Sequence, residues 1–116
     1  MRDFSKYDIW KDGIEISIKI YSLTKDFPGV EKFGMTSQIR RASISIPSNF
    51  AEGCSRSSEK DFKRFIEISL GSSFEIKTQL TIAERLNFLK EKEVMDFLLR
   101  LDKTSKQLNA LRNKLK

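Results

Sequence analysis

The last quarter of the chain repeats its apolar residues at the spacing of a helical seam. From residue 94 to residue 115 they recur in alternating steps of three and four, the heptad pattern of a helix that packs along its whole length. The members of this seam are Val94, Phe97, Leu101, Thr104, Leu108, Leu111 and Leu115. A strand cannot keep this period, so the pattern favours a helical protein.

Three further segments carry helical periodicity and are separated by short breaks. The predicted helices cover about residues 6–25, 35–53, 57–86 and 91–114. The third begins at Ser57 or Ser58, where Ser58 and Asp61 resemble a capping box. Four amphipathic helices with short connections predict an all-α, up-down-up-down antiparallel four-helix bundle. At this length we expect a single domain over residues 1–116.

The second helix contains a proline. Apolar residues at helical spacing (Met35, Ile39, Ala42, Ile46 and Phe50) outweigh the strand-like alternation of residues 43–46. Pro47 lacks an amide hydrogen and clashes with the carbonyl four residues earlier, so we expect a kink near Pro47, with neighbouring serines bonding the freed carbonyl. Gly53 is expected to end this helix.

The first and third helices each carry more apolar surface than one bundle needs. In the first helix one stripe is Tyr7, Trp10, Ile14, Ser17 and Tyr21, and a second is Ile9, Ile16, Ile20 and Leu23. A second apolar face requires a second partner, so the sequence predicts a homo-oligomer. In the third helix, the small residues 71–73 predict a close approach of another helix.

The composition disfavours an enzyme. The chain has no histidine and a single cysteine, Cys54. These counts exclude a Ser-His-Asp triad, a Cys-His pair, an internal disulfide and the usual zinc ligand sets. We therefore expect no metal and no cofactor, and a reducing, cytoplasmic location. No apolar run is long enough to cross a bilayer, and the N-terminus does not resemble a signal peptide.

The formal net charge of +6 is unevenly distributed. Residues 32–64 hold seven basic and three acidic side chains, and residues 91–116 hold seven and four. This distribution is compatible with an anionic partner, nucleic acid first, and equally with charge that only keeps the protein soluble. The residues that we expect to contact nucleic acid are Arg40, Arg56, Lys60, Lys63 and Arg64.

Adjacent arginines in a helix point about 100° apart, so Arg40 and Arg41 are predicted to differ in role. Arg41 falls beside the apolar stripe, where a buried arginine needs a carboxylate, and Arg40 lies nearer the outer face. We expect Arg41 to join a structural polar network with Asn49, Glu52, Glu75 and Gln79. The carboxylates of Glu52 and Glu75 are the only residues that hint at catalysis.

Three stretches together resemble a known family. They are YDIWKDGIEISIKIY (7–21), FPGVEKFGMTSQIRRASISIPSNFAEGCSR (27–56) and FIEISLGSSFEIKTQL (65–80). They look like the four-helix-bundle proteins encoded in intervening sequences of bacterial 23S ribosomal RNA genes. This family also resembles the accessory protein of diversity-generating retroelements, a basic bundle that associates with reverse transcriptase and nucleic acid. The resemblance implies rings of five subunits.

Two functions therefore remain open. One is a non-enzymatic, oligomeric bundle that binds RNA or DNA through phosphates, without sequence specificity. The other is a protein-interaction scaffold that docks a polymerase or reverse transcriptase and does not itself contact nucleic acid.

Overall fold

The computed structural model describes residues 2–116, and Met1 lies outside the described residues. The four helices are α1 (Asp8–Thr24), α2 (Met35–Cys54), α3 (Glu59–Arg85) and α4 (Glu91–Lys114). Short 3-10 turns at Phe4–Lys6 and Gly29–Glu31 precede α1 and α2. Residues 2–116 contain no strand, so the predicted all-α fold class is confirmed.

Neighbouring helices run antiparallel, as the contacts between them show. Residue numbers fall on one helix as they rise on the next. The pairs are Ser17 with Ser43 and Thr24 with Arg40 for α1–α2, Ser69 with Ile46 and Ser72 with Ser45 for α2–α3, and Ser73 with Ser105 and Lys77 with Asp102 for α3–α4. Helix α1 also packs against α4, which closes a bundle measuring 43 × 25 × 20 Å.

The core uses one apolar stripe of each helix. The first five members of the α4 seam are buried, and Leu111 and Leu115 are half-buried. In α1 the stripe that contains Ile16 and Ile20 is buried, whereas the stripe of Trp10 and Tyr21 is half-buried apart from Tyr21, which is exposed. Each fully buried large apolar side chain contributes about 1.5–3 kcal/mol, so these stripes hold the bundle together.

Helix α2 continues without a break through Pro47. The Ser43 carbonyl, which has lost its donor to the proline, accepts a hydrogen bond of 2.9 Å from the Ser17 hydroxyl of α1. We expected neighbouring serines of α2 to bond this carbonyl, but the donor belongs to another helix. The Pro47 ring lies against Gly13, where an added Cβ would come within 3.2 Å of the proline. The kink itself stays a prediction.

Small residues also bring α2 and α3 together. The Ser69 hydroxyl donates to the Ile46 carbonyl at 3.0 Å. Gly53 does not end the helix as predicted, because α2 extends to Cys54. A Cβ at Gly53 would lie 2.8 Å from the Cβ of Phe65, so the glycine permits close packing. The close approach predicted at residues 71–73 is confirmed for Ser72 and Ser73, which bond Ser45 of α2 and Ser105 of α4. It was wrong for Gly71, which has no atom within 4 Å of an added Cβ.

The Ser17–Ser43 hydrogen bond yields a stability prediction. Ser17→Ala leaves a buried carbonyl without a donor, so we expect the free energy of unfolding to fall by about 1–3 kcal/mol in urea titrations. In a Pro47→Ala background, the new amide at position 47 bonds the Ser43 carbonyl and the cost of Ser17→Ala shrinks. Ser22→Ala, an exposed change on the same helix, serves as the control. Equal costs in both backgrounds would refute this pairing.

Two glycines of neighbouring helices should respond in opposite directions. Gly53→Ala forces α2 away from α3, and overpacking of this kind lowers stability by about 1–3 kcal/mol. Gly71→Ala meets open space and removes a flexible residue from a helix interior, so stability rises by about 0.5–1 kcal/mol. Thermal and urea unfolding monitored by circular dichroism measures both changes. A stabilising Gly53→Ala would contradict the packing described above.

Candidate nucleic-acid interface

One end of the bundle gathers cations that lie far apart in the sequence. Antiparallel packing brings together the segment before α1, the turn between α2 and α3, and the last turn of α4. The Arg2 guanidinium donates to the Arg56 carbonyl at 3.3 Å, and the Lys116 backbone amide donates to a Glu59 carboxylate oxygen at 3.3 Å. We call this surface the basic end, and its residues are Arg2, Arg56, Lys60, Lys63 and Arg64.

Three arginines of the basic end stack on two buried phenylalanines. The Arg2 guanidinium carbon lies 4.1 Å from the centroid of the Phe62 ring. Those of Arg56 and Arg64 lie 4.8 and 5.4 Å from the Phe65 ring. Cation–π contacts of this kind hold a guanidinium against an aromatic ring. Arg2 donates one N–H to the Arg56 carbonyl and Arg56 donates one to Glu52, and the other N–H groups form the free edge of each guanidinium. Such an edge matches the geometry of a phosphate, which accepts two parallel hydrogen bonds.

Two carboxylates near this end form ion pairs, whereas Asp61, next to Lys60, has no cation within 4 Å among residues 2–116. Glu52 bonds Arg56 at 3.0 Å, and Glu67 lies 3.9 Å from Arg112. Both pairs are exposed to solvent, where an ion pair contributes less than about 1 kcal/mol. A phosphate can therefore displace Glu52 from the Arg56 guanidinium at little cost. The Ser58 hydroxyl accepts from the Asp61 amide at 3.1 Å, which confirms Ser58 as the cap of α3.

The structure separates the five residues predicted to contact nucleic acid. Lys60 and Arg64 are exposed one turn apart on α3, whereas Lys63 is half-buried. Arg56 lies in the turn before α3 rather than on the helix, and its contact with Phe65 brings it near Arg64. Arg40 lies elsewhere, roughly 20 Å from the basic end along α2 at 1.5 Å per residue.

The predicted positions of the paired arginines are reversed, and their predicted roles stay untested. The Arg40 Nε donates to the Thr24 hydroxyl at 2.9 Å, and its guanidinium carbon lies 4.5 Å from the centroid of the Tyr21 ring. Arg41 is exposed, and within residues 2–116 no carboxylate lies within 4 Å of its side-chain nitrogens. The cause is that α1 packs on the side of α2 that carries Ser43 and Pro47, which is also the side of Arg40.

The polar network predicted around Arg41 does not form in the described part of the chain. Glu52 pairs with Arg56 instead, and Glu75 is exposed with no cation within 4 Å. Gln79 was also expected to belong to this network, but its buried side-chain oxygen has no partner within residues 2–116. Asn49 does bond locally, donating to the Ser45 carbonyl at 2.9 Å and hydroxyl at 2.7 Å.

Arg2 is the member of the basic end that sequence reasoning missed. It lies 54 residues from Arg56, and no spacing rule connects the two. The only sequence signal is a basic residue that Asp3 follows directly, close to the first aromatic residue of the chain.

Two absences hold for the described residues. Within residues 2–116, no group of three or more potential metal-ligating side chains is placed to hold an ion. None of the helices there combines the length and apolar character needed to span a membrane.

These features define a class of protein: an antiparallel four-helix bundle with an arginine-rich end and no metal-ligand cluster within residues 2–116. The chain belongs to the family of 23S rRNA-intervening sequence proteins, whose sequence pattern matches residues 5–110.

A solved structure shares this fold. It is a protein of unknown function from the S23 ribosomal protein family of Bacteroides thetaiotaomicron, which is 23% identical in sequence to this chain. The two superpose with a TM-score of 0.83 over 90% of this chain and 95% of the other. A comparison with curated protein sequences finds no match.

Cys54 lies beside the basic end, and the pKa of its thiol responds to the charges there. Burial raises the pKa of the Cys54 thiol above its usual value, while the Arg2 charge lowers that pKa and Asp3 raises it. A raised pKa means less thiolate at a given pH, and the thiolate is the reactive form.

We therefore expect iodoacetamide to modify Cys54 more slowly in the folded protein than in urea, with the pH midpoint of the rate shifted upward. Arg2→Ala removes a positive charge, so it should move that midpoint higher still. Lys92→Ala, a distant change of equal charge, is the control. A midpoint that falls in Arg2→Ala would show that Arg2 does not act on this thiol.

Proposed function

We propose that this protein is a non-enzymatic, oligomeric helical bundle of the cytoplasm that binds RNA or DNA non-specifically through the basic end. The observation that carries the proposal is the stacking of Arg2, Arg56 and Arg64 on the rings of Phe62 and Phe65. Stacking reduces the freedom that each long side chain loses on binding, so the guanidinium edges are preorganised for phosphates.

The basic end suits phosphate contacts rather than recognition of bases. Phe62 and Phe65 are buried beneath the arginines, so they offer no ring for a base to stack on. Contacts from guanidinium and ammonium groups to phosphates fix the position of a nucleic acid but carry no sequence information. The proposal therefore predicts similar affinities for unrelated sequences.

Two apolar surfaces support the oligomeric part of the proposal. A groove of about 310 Å³ between α1 and α2 is lined by Ile14, Ile18 and Ile44, and the Ile18 side chain is 59% exposed. A groove of about 360 Å³ between α3 and α4 is lined by Leu70 and Phe74. These grooves lie on different faces of the bundle, as a head-to-tail contact that closes a ring requires. A ring of five, which the family resemblance implies, would repeat the basic end and strengthen binding through multivalency.

The scaffold alternative rests on the same apolar surfaces. Phe74 is 62% exposed, and Asp102, Lys106 and Arg112 surround its groove with charge. A polymerase or reverse transcriptase with an apolar anchor and a polar rim would fit this groove. In that case the basic end would attract the protein partner electrostatically or keep the bundle soluble, without contacting nucleic acid.

Charge reversal at the basic end tests the proposal. Lys60→Glu/Arg64→Glu places two negative charges where phosphates would lie, so we expect at least a tenfold loss of affinity for both single-stranded and duplex oligonucleotides. Fluorescence anisotropy at one fixed, low salt concentration measures the loss.

The matched control is Lys92→Glu/Arg100→Glu, which makes the same charge change on exposed residues of α4. Light scattering must give the same mass for both variants and the parent. If both variants weaken binding equally, only overall charge matters and the basic end is not the site. If neither variant nor parent binds nucleic acid, the scaffold alternative replaces the proposal.

A further inference from the structure

A second cationic surface lies at the end of the α1–α2 face remote from the basic end. It is a cleft of about 440 Å³ lined by Tyr21, Lys32, Phe33, Thr36, Ser37, Arg40, Arg41 and Ile44. Three of these residues are cationic and none is acidic. Its volume falls within the range of about 300–1,000 Å³ that is usual for sites of small molecules.

Phe33 is the unusual member of this cleft. It lies just before α2, and its side chain is 89% exposed. Burial of such a ring would be favourable, and packing within the chain does not provide it here. The Lys32 ammonium nitrogen lies 5.4 Å from the centroid of this ring. Phe33 therefore presents an aromatic face with a cation beside it.

The opposite wall of the cleft is rigid. The Arg40 guanidinium is fixed by its hydrogen bond to Thr24 and by its stacking on Tyr21. Arg41 follows it on α2 and extends into solvent. The nearest acidic residue before α2, Glu31, uses a carboxylate oxygen to accept from the Met35 amide at 3.3 Å. The lining of the cleft itself contains three cations and no carboxylate.

We propose that this cleft binds an unpaired nucleotide of a single-stranded nucleic acid. The base stacks on Phe33, and the phosphates contact Arg41 and Lys32. Arg40 is a positioning residue that holds Tyr21 in place. A ring beside cations matches the two halves of a nucleotide, a flat base and a charged phosphate. A duplex stacks its bases internally, so it cannot supply one to the cleft.

This inference rests on the proposed function and adds a preference for single strands. The cleft and the basic end are roughly 20 Å apart along α2. At about 3.4 Å per nucleotide, roughly six nucleotides span that distance. An oligonucleotide of twelve is therefore long enough to reach both surfaces.

The test replaces the ring while keeping its apolar bulk. Phe33→Leu and the parent are titrated into fluorescein-labelled 12-nucleotide oligo-U and oligo-dT, and into a 12-base-pair duplex. Stacking of one base contributes about 1–3 kcal/mol, so we expect a loss of about 5- to 150-fold for single strands and no change for the duplex. Val30→Ala, an exposed apolar neighbour outside the cleft, should bind like the parent.

A second measurement reports the contact directly. Irradiating the complex with iodouridine-substituted oligo-U should crosslink the peptide that contains Phe33, as mass spectrometry would show. Crosslinks confined to other peptides would overturn the inference.

The remaining outcomes separate the inference from the proposed function. If Phe33→Leu binds every probe like the parent while Lys60→Glu/Arg64→Glu loses at least tenfold in affinity, the cleft is not a site and the basic end stands. If Phe33→Leu weakens single-strand and duplex binding equally, the preference for unpaired bases is refuted. If it changes the mass in light scattering, the cleft is instead a contact between copies. No binding by the parent overturns both proposals.

Discussion

The contact between α1 and α2 at Pro47 determines the arrangement of much of the molecule. A proline inside a helix leaves one carbonyl without its donor, and a buried carbonyl must be paired. Here Ser17 of α1 supplies that donor, and Gly13 gives the proline ring room. Because both requirements fall on one side of α2, they fix the rotation of α2 about its axis. The same rotation turns Arg40 toward Tyr21 and leaves Arg41 in solvent.

Two cationic surfaces result from the antiparallel arrangement. At the basic end, arginines lie against phenylalanines that are themselves buried. In the cleft, Phe33 itself is exposed and the cations stand around it. The first surface offers contacts that any nucleic-acid backbone satisfies, and the second offers a contact that requires an unpaired base. Together they would make a binder of single strands whose affinity comes from charge and whose preference comes from stacking.

The sequence predicts the helices well because their signals are local. The seam from Val94 to Leu108 and the Ser58 cap follow from period and capping chemistry. The placement of Arg40 and Arg41 could not be predicted, since it depends on which side of α2 packs against α1. Gly53 resembles a helix stop until its contact with Phe65 is known. Arg2 meets Arg56 and Phe62 only through the tertiary structure, and no spacing in the sequence predicts these contacts.

The salt dependence of nucleic-acid binding by the unaltered protein tests the central claim most directly. Anisotropy titrations with single-stranded and duplex RNA and DNA across a salt series give the slope of log affinity against log salt. Phosphate contacts by the five cations of one basic end predict a slope of about −3.5 for single strands and about −4.5 for duplexes, because each contact releases counterions. A measurable affinity that barely changes with salt, or no binding at the lowest salt, would contradict the account.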